Sequence, residues 1–265
     1  MTMRQRIQRI QRIVLTPLFA SVIAVFAFGQ VGNGRTQGAE ITVLCSNGMK
    51  EVMLELGPVF ERATGKKLSV EYNSTATIMN QIRSGATADL LILTSEAVDD
   101  LLKQGRVVSG SRVDLARSRI AIAVRAGAPK PDIGSPEALK KSLLAMKSVA
   151  IPKSGISGEH FFTIIERLGI AAEMKPKIIE VESGPVGTLL AQGQAEIGLQ
   201  QISELMPVPG IDIVGPLPGN LQKVTIFSAG LATTAKQPAA SKALVTFLAG
   251  KSAQPVIKKK GMEPR

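Results

Sequence analysis

The sequence has few of the side chains on which metal sites and disulfides depend. Its 265 residues include one cysteine, one histidine and no tryptophan. A structural zinc site needs clustered Cys and His ligands, so such a site is excluded. A single cysteine cannot close a disulfide within the chain, and the fold must therefore rest on apolar burial. We expect Cys45, at the end of the apolar stretch ITVLC, to be buried and unreactive.

Aromatic residues make up only 3% of the chain, and no basic cluster is interleaved with them. Proteins that bind single-stranded nucleic acid stack bases on aromatic side chains, so nucleic acid is excluded as a partner. The net charge is +11, but residues 1–39 hold five of the 32 basic and none of the 21 acidic side chains, leaving +6 for the remainder. A moderately basic protein suits a small anion or an anionic membrane surface. The run Lys258–Lys260 is interpreted as a solvated helix end.

Residues 1–29 have the layout of a secretory signal peptide. Four arginines within the first 12 residues precede an apolar run over residues 13–29, which is the order of charge and hydrophobicity in export signals. Small residues favour cleavage before Gln30, with a site near Ala39 as the alternative. An uncleaved anchor is the other interpretation, although the run is short for a bilayer span and contains Pro17. We therefore predict an exported, periplasmic protein.

From Ile41 onward, short apolar runs alternate with amphipathic stretches, which predicts an α/β fold. The run DLLIL, at residues 89–93, is apolar on every side and predicts a strand covered on both faces, as in a parallel sheet. Two stretches rich in Pro and Gly, APKPDIGSPE and MPVPGIDIVGPLPGN, separate two α/β units. We predict two lobes, one formed by residues 40–124 and 222–265 and the other by residues 125–221.

Four predicted strand-to-helix turns carry small polar residues. Their sequences are CSNGM (45–49), NSTAT (73–77), KSGISGEH (153–160) and ESGPVGT (182–188). Each alone is explained by helix capping. Ligands of open α/β sheets, however, bind beyond the carboxyl ends of the strands, where helix N-termini attract anions. The recurrence favours an anion site in which Ser74 or Thr75 caps a helix while other groups hold the ligand.

Two longer stretches carry a family resemblance. PVFERATGKKLSVEYNSTATIMNQIRSGATADLLIL resembles type 2 periplasmic solute-binding proteins, most closely those similar to the molybdate-binding protein of ABC importers. AEIGLQQISEL matches the segment in which this family has Gly, two apolar residues, a Tyr and Ser-Asp. The resemblance implies a two-lobed α/β fold with a ligand cleft between the lobes and no cofactor. It also implies a monomer that delivers a small anion, such as molybdate, to an ABC permease in the inner membrane.

Carried over by position, Ser46 or Asn47 stands where the family has the hydroxyl donor of its first loop, and Thr75 stands for the Ser that opens its second helix. Ser157 and Val186 fall at turns that give backbone amides in the family. The family's Tyr, which donates its phenol to molybdate, aligns with Gln201. Because an amide side chain both donates and accepts, this departure favours an organic di- or tricarboxylate with its own hydroxyl or acid proton. The full set of predicted ligand-binding residues is Ser46, Asn47, Ser74, Thr75, Ser157, Gly158, Val186 and Gln201.

An enzyme on the same scaffold is the alternative, because this branch of the family also resembles aconitate isomerase. That reaction moves a double bond in a tricarboxylate by proton abstraction and needs an acid or base over the reacting carbon. The sequence offers Glu159, His160 and Glu182 for this role, although His160, beside two Phe, is interpreted first as a packing or rim residue. Arg83, Arg125 and Lys153 are further candidates for charge near the ligand.

Overall fold

The computed structural model describes residues 40–265, and the predicted signal peptide lies outside the described residues. Strands and helices alternate, so the predicted α/β class is confirmed. The strands are β1 Glu40–Ser46, β2 Lys67–Asn73, β3 Leu90–Thr94, β4 Val113–Arg125, β5 Val149–Pro152, β6 Ile178–Val181, β7 Ile197–Gln201, β8 Ile211–Pro216, β9 Val224–Leu231 and β10 Glu263–Pro264. The helices are α1 Lys50–Thr64, α2 Thr75–Arg83, α3 Ser95–Lys103, α4 Pro136–Ala145, α5 Ile156–Arg167, α6 Ala171–Met174, α7 Gly187–Ala191, α8 Ile202–Leu205, α9 Pro238–Ala249 and α10 Gln254–Lys259. Among residues 40–265, no helix combines the length and apolarity needed to cross a membrane.

The strands pair in the order β2-β1-β3-β9-β4-β7-β5-β6, with β8 and β10 also pairing with β4. The buried strand β3 is parallel to β1, as predicted, but antiparallel to β9 on its other side. The sheet is therefore mixed rather than parallel throughout. Strand β9 comes from more than 130 positions further along the chain than β3, so this pairing cannot be inferred from the order of neighbouring elements.

Strand β4 belongs to two parts of the sheet. Its residues up to Arg119 pair with β9, and its residues from Ile120 pair with β7 and β8. We call β2, β1, β3, β9 and the first part of β4 the first half-sheet, and the second part of β4 with β7, β5, β6 and β8 the second half-sheet. The predicted division into lobes at residues 124 and 221 stays a prediction.

Each half-sheet is covered on both faces by apolar side chains. In β1, Val43 and Cys45 enter one core cluster and Leu44 enters another. In β4, Ile122 and Ala123 likewise divide between two further clusters. Successive strand residues point to opposite faces, so this alternation is the signature of a sheet between helical layers. Cys45 is fully buried, as predicted, and burial raises the pKa of its thiol above the ordinary value. Because the thiolate is the reactive form, a raised pKa is consistent with an unreactive cysteine.

Several helix ends carry the residues that helix termini favour. Gly65, immediately after α1, adopts a left-handed conformation with φ of 69°, which glycine tolerates best. Ser135 caps α4 by accepting a hydrogen bond from the amide of Ala138, and Pro136 occupies the first helical position. Lys259 and Lys260 do lie at a helix end, but they pair with Glu55 of α1 at 3.2 and 3.0 Å. They therefore also join α10 to α1.

The second Pro- and Gly-rich stretch, interpreted from the sequence as a separator between the two α/β units, includes a strand of the sheet. It contains β8, which pairs with β4 through a register shift between Ile122 and Ala123. Proline lacks the amide hydrogen that a ladder needs, and Pro216 is accordingly the last residue of the strand. The short helix α8, just after β7, was not predicted either.

Candidate functional site

All four polar turns converge on one cavity of about 400 Å³. It lies at the carboxyl ends of β1, β2, β5, β6 and β7, where the loops leading into the following helices meet. Six of the eight predicted ligand-binding residues line it. They are Ser46, Asn47, Ser74, Thr75, Ser157 and Gln201.

The first two turns are linked to each other. The Thr75 hydroxyl donates to Ser46 Oγ at 3.2 Å. Ser74 Oγ accepts from the amide of Thr77 at 3.1 Å and so caps α2. Ser74 therefore performs the capping that its sequence predicts, and Thr75 and Ser46 present a joined pair of hydroxyls to the cavity.

The third turn opens α5 without a side-chain cap. Gly155 precedes the helix with φ of 104°, a conformation that L side chains rarely adopt. A Cβ atom at this position would lie 3.6 Å from Ser74 Cβ, so the third turn closely approaches the second across the cavity. Because no side chain caps α5, its first-turn amides have no intrahelical or side-chain partner and are suited to an anion.

The two other predicted residues do not line the cavity. A Cβ atom on Gly158 would fall 2.0 Å from the carbonyl oxygen of Pro152, so glycine allows α5 to pack closely on β5. The amide of Val186 is fully inside the protein and donates to Gln200 Oε1 at 2.8 Å. That amide is thus engaged by a side chain of the protein itself, and direct contact of either residue with a ligand stays a prediction.

Gln201 lies at the carboxyl end of β7 and is only 4% exposed. Its Nε2 donates to Thr225 Oγ1 at 2.9 Å, whereas its buried Oε1 has no hydrogen-bond partner among the described residues. An unsatisfied buried acceptor is costly. Because the Thr225 hydroxyl can donate or accept, the Gln201 carboxamide can present either its oxygen or its NH2 group to a ligand.

Three further lining residues, Gln200, Ser203 and Glu204, were missed. Ser203 donates to the carbonyl oxygen of Gly48 at 2.8 Å and so ties α8 to the first turn. Gln200 Nε2 donates to Glu204 Oε1 at 3.1 Å. Burial raises the pKa of Glu204 to about 7, against the lowering effect of the Gln200 hydrogen bond. One feature of the sequence could have indicated Gln200: two glutamines end the short apolar run of β7. All five residues of that strand are buried in the structure, and buried polar side chains are uncommon.

Formal charge is sparse in the cavity lining. Among the described lining residues the one basic side chain is Lys50, whose Nζ lies 5.9 Å from the centre of the Tyr72 ring. Glu51 pairs with Lys260 at 3.8 Å, and Glu182 pairs with Lys153. Arg83, Arg125 and Lys153 do not line the cavity. Hydroxyl, amide and carboxamide groups therefore provide most of its polar surface.

The acid–base candidates taken from the sequence are poorly placed. Glu159 and His160 do not line the cavity. His160 Nε2 lies 2.7 Å from the carbonyl oxygen of Leu221 and donates to it, which supports the packing interpretation. Glu182 lines the cavity but is exposed and bound to Lys153. Among the lining carboxyls of the described residues, Glu204 is the one without an ion pair. Within residues 40–265, no group of three or more His, Cys, Asp or Glu residues is arranged to hold a metal ion.

Comparison with known proteins agrees with this geometry. Residues 41–263 match the family described as bacterial extracellular solute-binding proteins. The chain is 38% identical to the aconitate isomerase of Pseudomonas sp over 230 residues, which cover 84% of this chain and 87% of that protein. It is 28% identical to the molybdate-binding protein of Azotobacter vinelandii over 230 residues, covering 85% and 90% of the two chains.

The fold likeness extends to solved structures. The periplasmic molybdate-binding protein of Azotobacter vinelandii aligns with a TM-score of 0.70 at 21% identity, over 84% of this chain and 98% of that one. The resemblance to type 2 periplasmic binding proteins, and to aconitate isomerase within that branch, is thus confirmed. The chain belongs to the family of bacterial extracellular solute-binding proteins.

Proposed function

We propose that this protein binds a small di- or tricarboxylate in the cavity and shifts its double bond, as an aconitate isomerase does. The observation that carries the proposal is Glu204, a cavity carboxyl whose pKa burial raises to about 7. A group with this pKa exists in both protonation states near neutral pH, as proton abstraction and return require. The 38% identity to an aconitate isomerase points to the same class of reaction.

The chemistry assigns each group a task. Ionised Glu204 accepts a proton from the methylene carbon of the bound tricarboxylate, and the C–H electron pair becomes part of a new double bond. The electrons of the old double bond accept the proton that Glu204 returns at the other end of the allylic system. Negative charge accumulates on a ligand carboxylate meanwhile, where the Ser46 and Thr75 hydroxyls and the first-turn amides of α5 would stabilise it.

Incubation of the purified protein with cis-aconitate, followed by proton NMR, tests this proposal. We expect trans-aconitate to appear until the equilibrium ratio is reached, and the same ratio from the trans isomer. Heat-denatured protein serves as the control for spontaneous conversion. Saturable binding of both isomers without interconversion would contradict the isomerase proposal.

Solute binding for an ABC importer is the second candidate. The predominantly neutral lining favours it, because several desolvated hydrogen bonds to a charged acceptor suffice to hold an anion. A thermal-shift screen over molybdate, tungstate, sulfate, phosphate and di- and tricarboxylates separates the candidates by ligand. A ligand present at 100 times its Kd adds about 2.7 kcal/mol to stability. Binding of molybdate or tungstate in preference to carboxylates would favour import.

We also propose that the protein acts in the periplasm as a monomer after cleavage before Gln30. The basic and apolar pattern of residues 1–29 supports export. N-terminal sequencing of the protein from a periplasmic fraction tests it. A first residue at Gln30, or near Ala39, is expected, and a mature protein that retains residues 1–29 would contradict it.

A further inference from the structure

Gln200 is fixed at both ends of its carboxamide group. Its Oε1 accepts the backbone amide of Val186 at 2.8 Å, and its Nε2 donates to Glu204 Oε1 at 3.1 Å. The side chain is only 4% exposed. Gln200 thus joins the start of α7 to the side-chain carboxyl group of Glu204 on α8.

The oxygen and the NH2 group of this carboxamide cannot exchange places without loss of the hydrogen bond to Val186. A backbone amide only donates, so the atom of Gln200 that faces Val186 must be the carbonyl oxygen. The atom that faces Glu204 must then be the NH2 group. Gln201, by contrast, faces the hydroxyl of Thr225, which both donates and accepts and would tolerate either orientation.

The two oxygens of Glu204 are consequently different. Oε1 receives an N–H donor and is a poor position for the acid proton, since two hydrogens would then face each other. Oε2 makes no hydrogen bond with a described residue, yet it is not among the fully buried unpartnered atoms. It therefore retains accessible area, and Glu204 lines the cavity.

We propose that Gln200 is a positioning residue that keeps the acid proton of Glu204 on Oε2, the oxygen that faces the ligand. The catalytic part of this inference rests on the proposed isomerase function. The placement of the proton does not, because it follows from hydrogen bonds that exist without ligand.

No other titratable side chain among the described residues forms an ion pair with Glu204. On α8 itself Glu204 is the one titratable residue. The titratable side chains that line the cavity from elsewhere are Lys50 and Glu51 of α1, Tyr72 of β2 and Glu182 after β6. Glu51 and Glu182 are paired with Lys260 and Lys153, and no ion pair within residues 40–265 includes Glu204.

Two substitutions separate the donor function of Gln200 from its packing. Gln200→Leu removes both hydrogen bonds. Gln200→Glu keeps the shape of the side chain and an acceptor for Val186, but places a carboxyl oxygen where Glu204 now receives a donor. Gln201→Leu is the matched control for the carboxyl titration, because Gln201 adjoins Gln200 in β7 but bonds to Thr225 rather than to Glu204.

The test is a carboxyl ¹³C NMR titration of the ligand-free protein, with the Glu204 signal identified by its absence in Glu204→Gln. We expect a midpoint near pH 7 in the parent protein, moved upward by about one pH unit in Gln200→Leu because an N–H donor to the ionised form is lost. In Gln200→Glu the two carboxyls should titrate as a coupled pair with two separated midpoints. The midpoint in Gln201→Leu should stay within about 0.3 of the parent.

An unchanged midpoint in folded Gln200→Leu would overturn the inference. If that variant does not fold, Gln200→Glu decides, and a single unshifted midpoint there would overturn it equally. Where turnover is measurable, the pH profile of kcat should move with the NMR midpoint, which a purely structural role would not cause. Because the titration uses no substrate, a failure of the isomerase proposal leaves its result interpretable.

Discussion

Asp89 and Glu204 are two carboxyl groups whose pKa values move in opposite directions. Asp89, directly before β3, is 3% exposed, whereas Glu204 is partly exposed and lines the cavity. Asp89 accepts hydrogen bonds from the amide and hydroxyl of Thr42 and from the amides of Lys236 and Gln237. Burial acts to raise its pKa, but these donors together outweigh burial and hold the pKa below the ordinary value. Glu204 has a single donor, and burial prevails.

The difference shows that the number of donors, rather than burial alone, decides whether the pKa of a carboxyl is lowered or raised. Asp89 joins β1 to the N-terminus of α9, where the helix dipole also favours negative charge. Both carboxylate oxygens of Asp89 accept hydrogen bonds from the protein itself. The Glu204 carboxyl receives one hydrogen bond, from Gln200, and its raised pKa supports the proposed role in proton transfer.

Loss of the Glu204 carboxyl should have the largest effect. Glu204→Gln keeps the shape and the capacity to bind an anion but cannot accept a proton, so we expect kcat for aconitate interconversion to fall by about 10²- to 10⁴-fold. Calorimetry should show binding of the ligand within a few-fold of the parent protein.

Glu159→Gln is the charge-matched control for this substitution, because Glu159 lies on α5 outside the cavity lining. Its kcat should stay within about two-fold of the parent value. Equal losses in the two variants would show that net charge, rather than the position of Glu204, controls turnover.

Asp89→Asn should affect stability instead of chemistry. The substitution removes the charge from four hydrogen bonds in the core of the first half-sheet, and we expect the free energy of unfolding to fall by about 2 to 3 kcal/mol. Urea denaturation measures this loss. Asp100→Asn, at an exposed site on α3, should change the free energy by less than about 0.5 kcal/mol. Equal effects would mean that the donors around Asp89 contribute no net stability.

The pH dependence of stability should have opposite slopes for the two carboxyls. The folded-state pKa of Asp89 lies below the ordinary value of 3.8, so its contribution is present above that pH and is lost as pH falls through the folded pKa. The pKa of Glu204 rises from 4.5 to about 7, so stability should decrease as pH rises between these values and then level off. Urea midpoints from pH 3 to 8 should lose the first slope in Asp89→Asn and the second in Glu204→Gln.

The smallest effect is expected at His160. Its substitution by Ala removes one hydrogen bond to Leu221, which lies between β8 and β9, and should cost about 1 kcal/mol of stability, with kcat unchanged. Steady-state assays at several pH values measure this. A fall of ten-fold or more in kcat would return the imidazole to the mechanism and weaken the assignment to Glu204.

Much of the site could be predicted because its signals are local. The turn at Ser74 and Thr75 has both a capping residue and a preceding strand, and parallel strands bring such turns to one edge of a sheet. Gln201 was found because it stands where the resembling family has Tyr. These inferences needed only short segments and their neighbours along the chain.

What could not be predicted depends on packing between distant segments. Helix α8 has four residues, too few for a periodic pattern, so Glu204 was passed over. The amide of Val186 was predicted to face a ligand, but a side chain 14 residues further on receives it. Strand β8 was hidden by the prolines and glycines around it, because its pairing with β4 is set by the second half-sheet.

Isomerisation in D₂O tests most directly whether the cavity moves a proton on a bound carboxylate. With trans-aconitate as the starting material, cis-aconitate should form, and deuterium should enter both isomers to the extent that the protonated Glu204 carboxyl exchanges with solvent before it returns the proton. Glu204→Gln should show neither change. Tight binding of aconitate to the parent protein with no deuterium uptake and no second isomer would contradict this account.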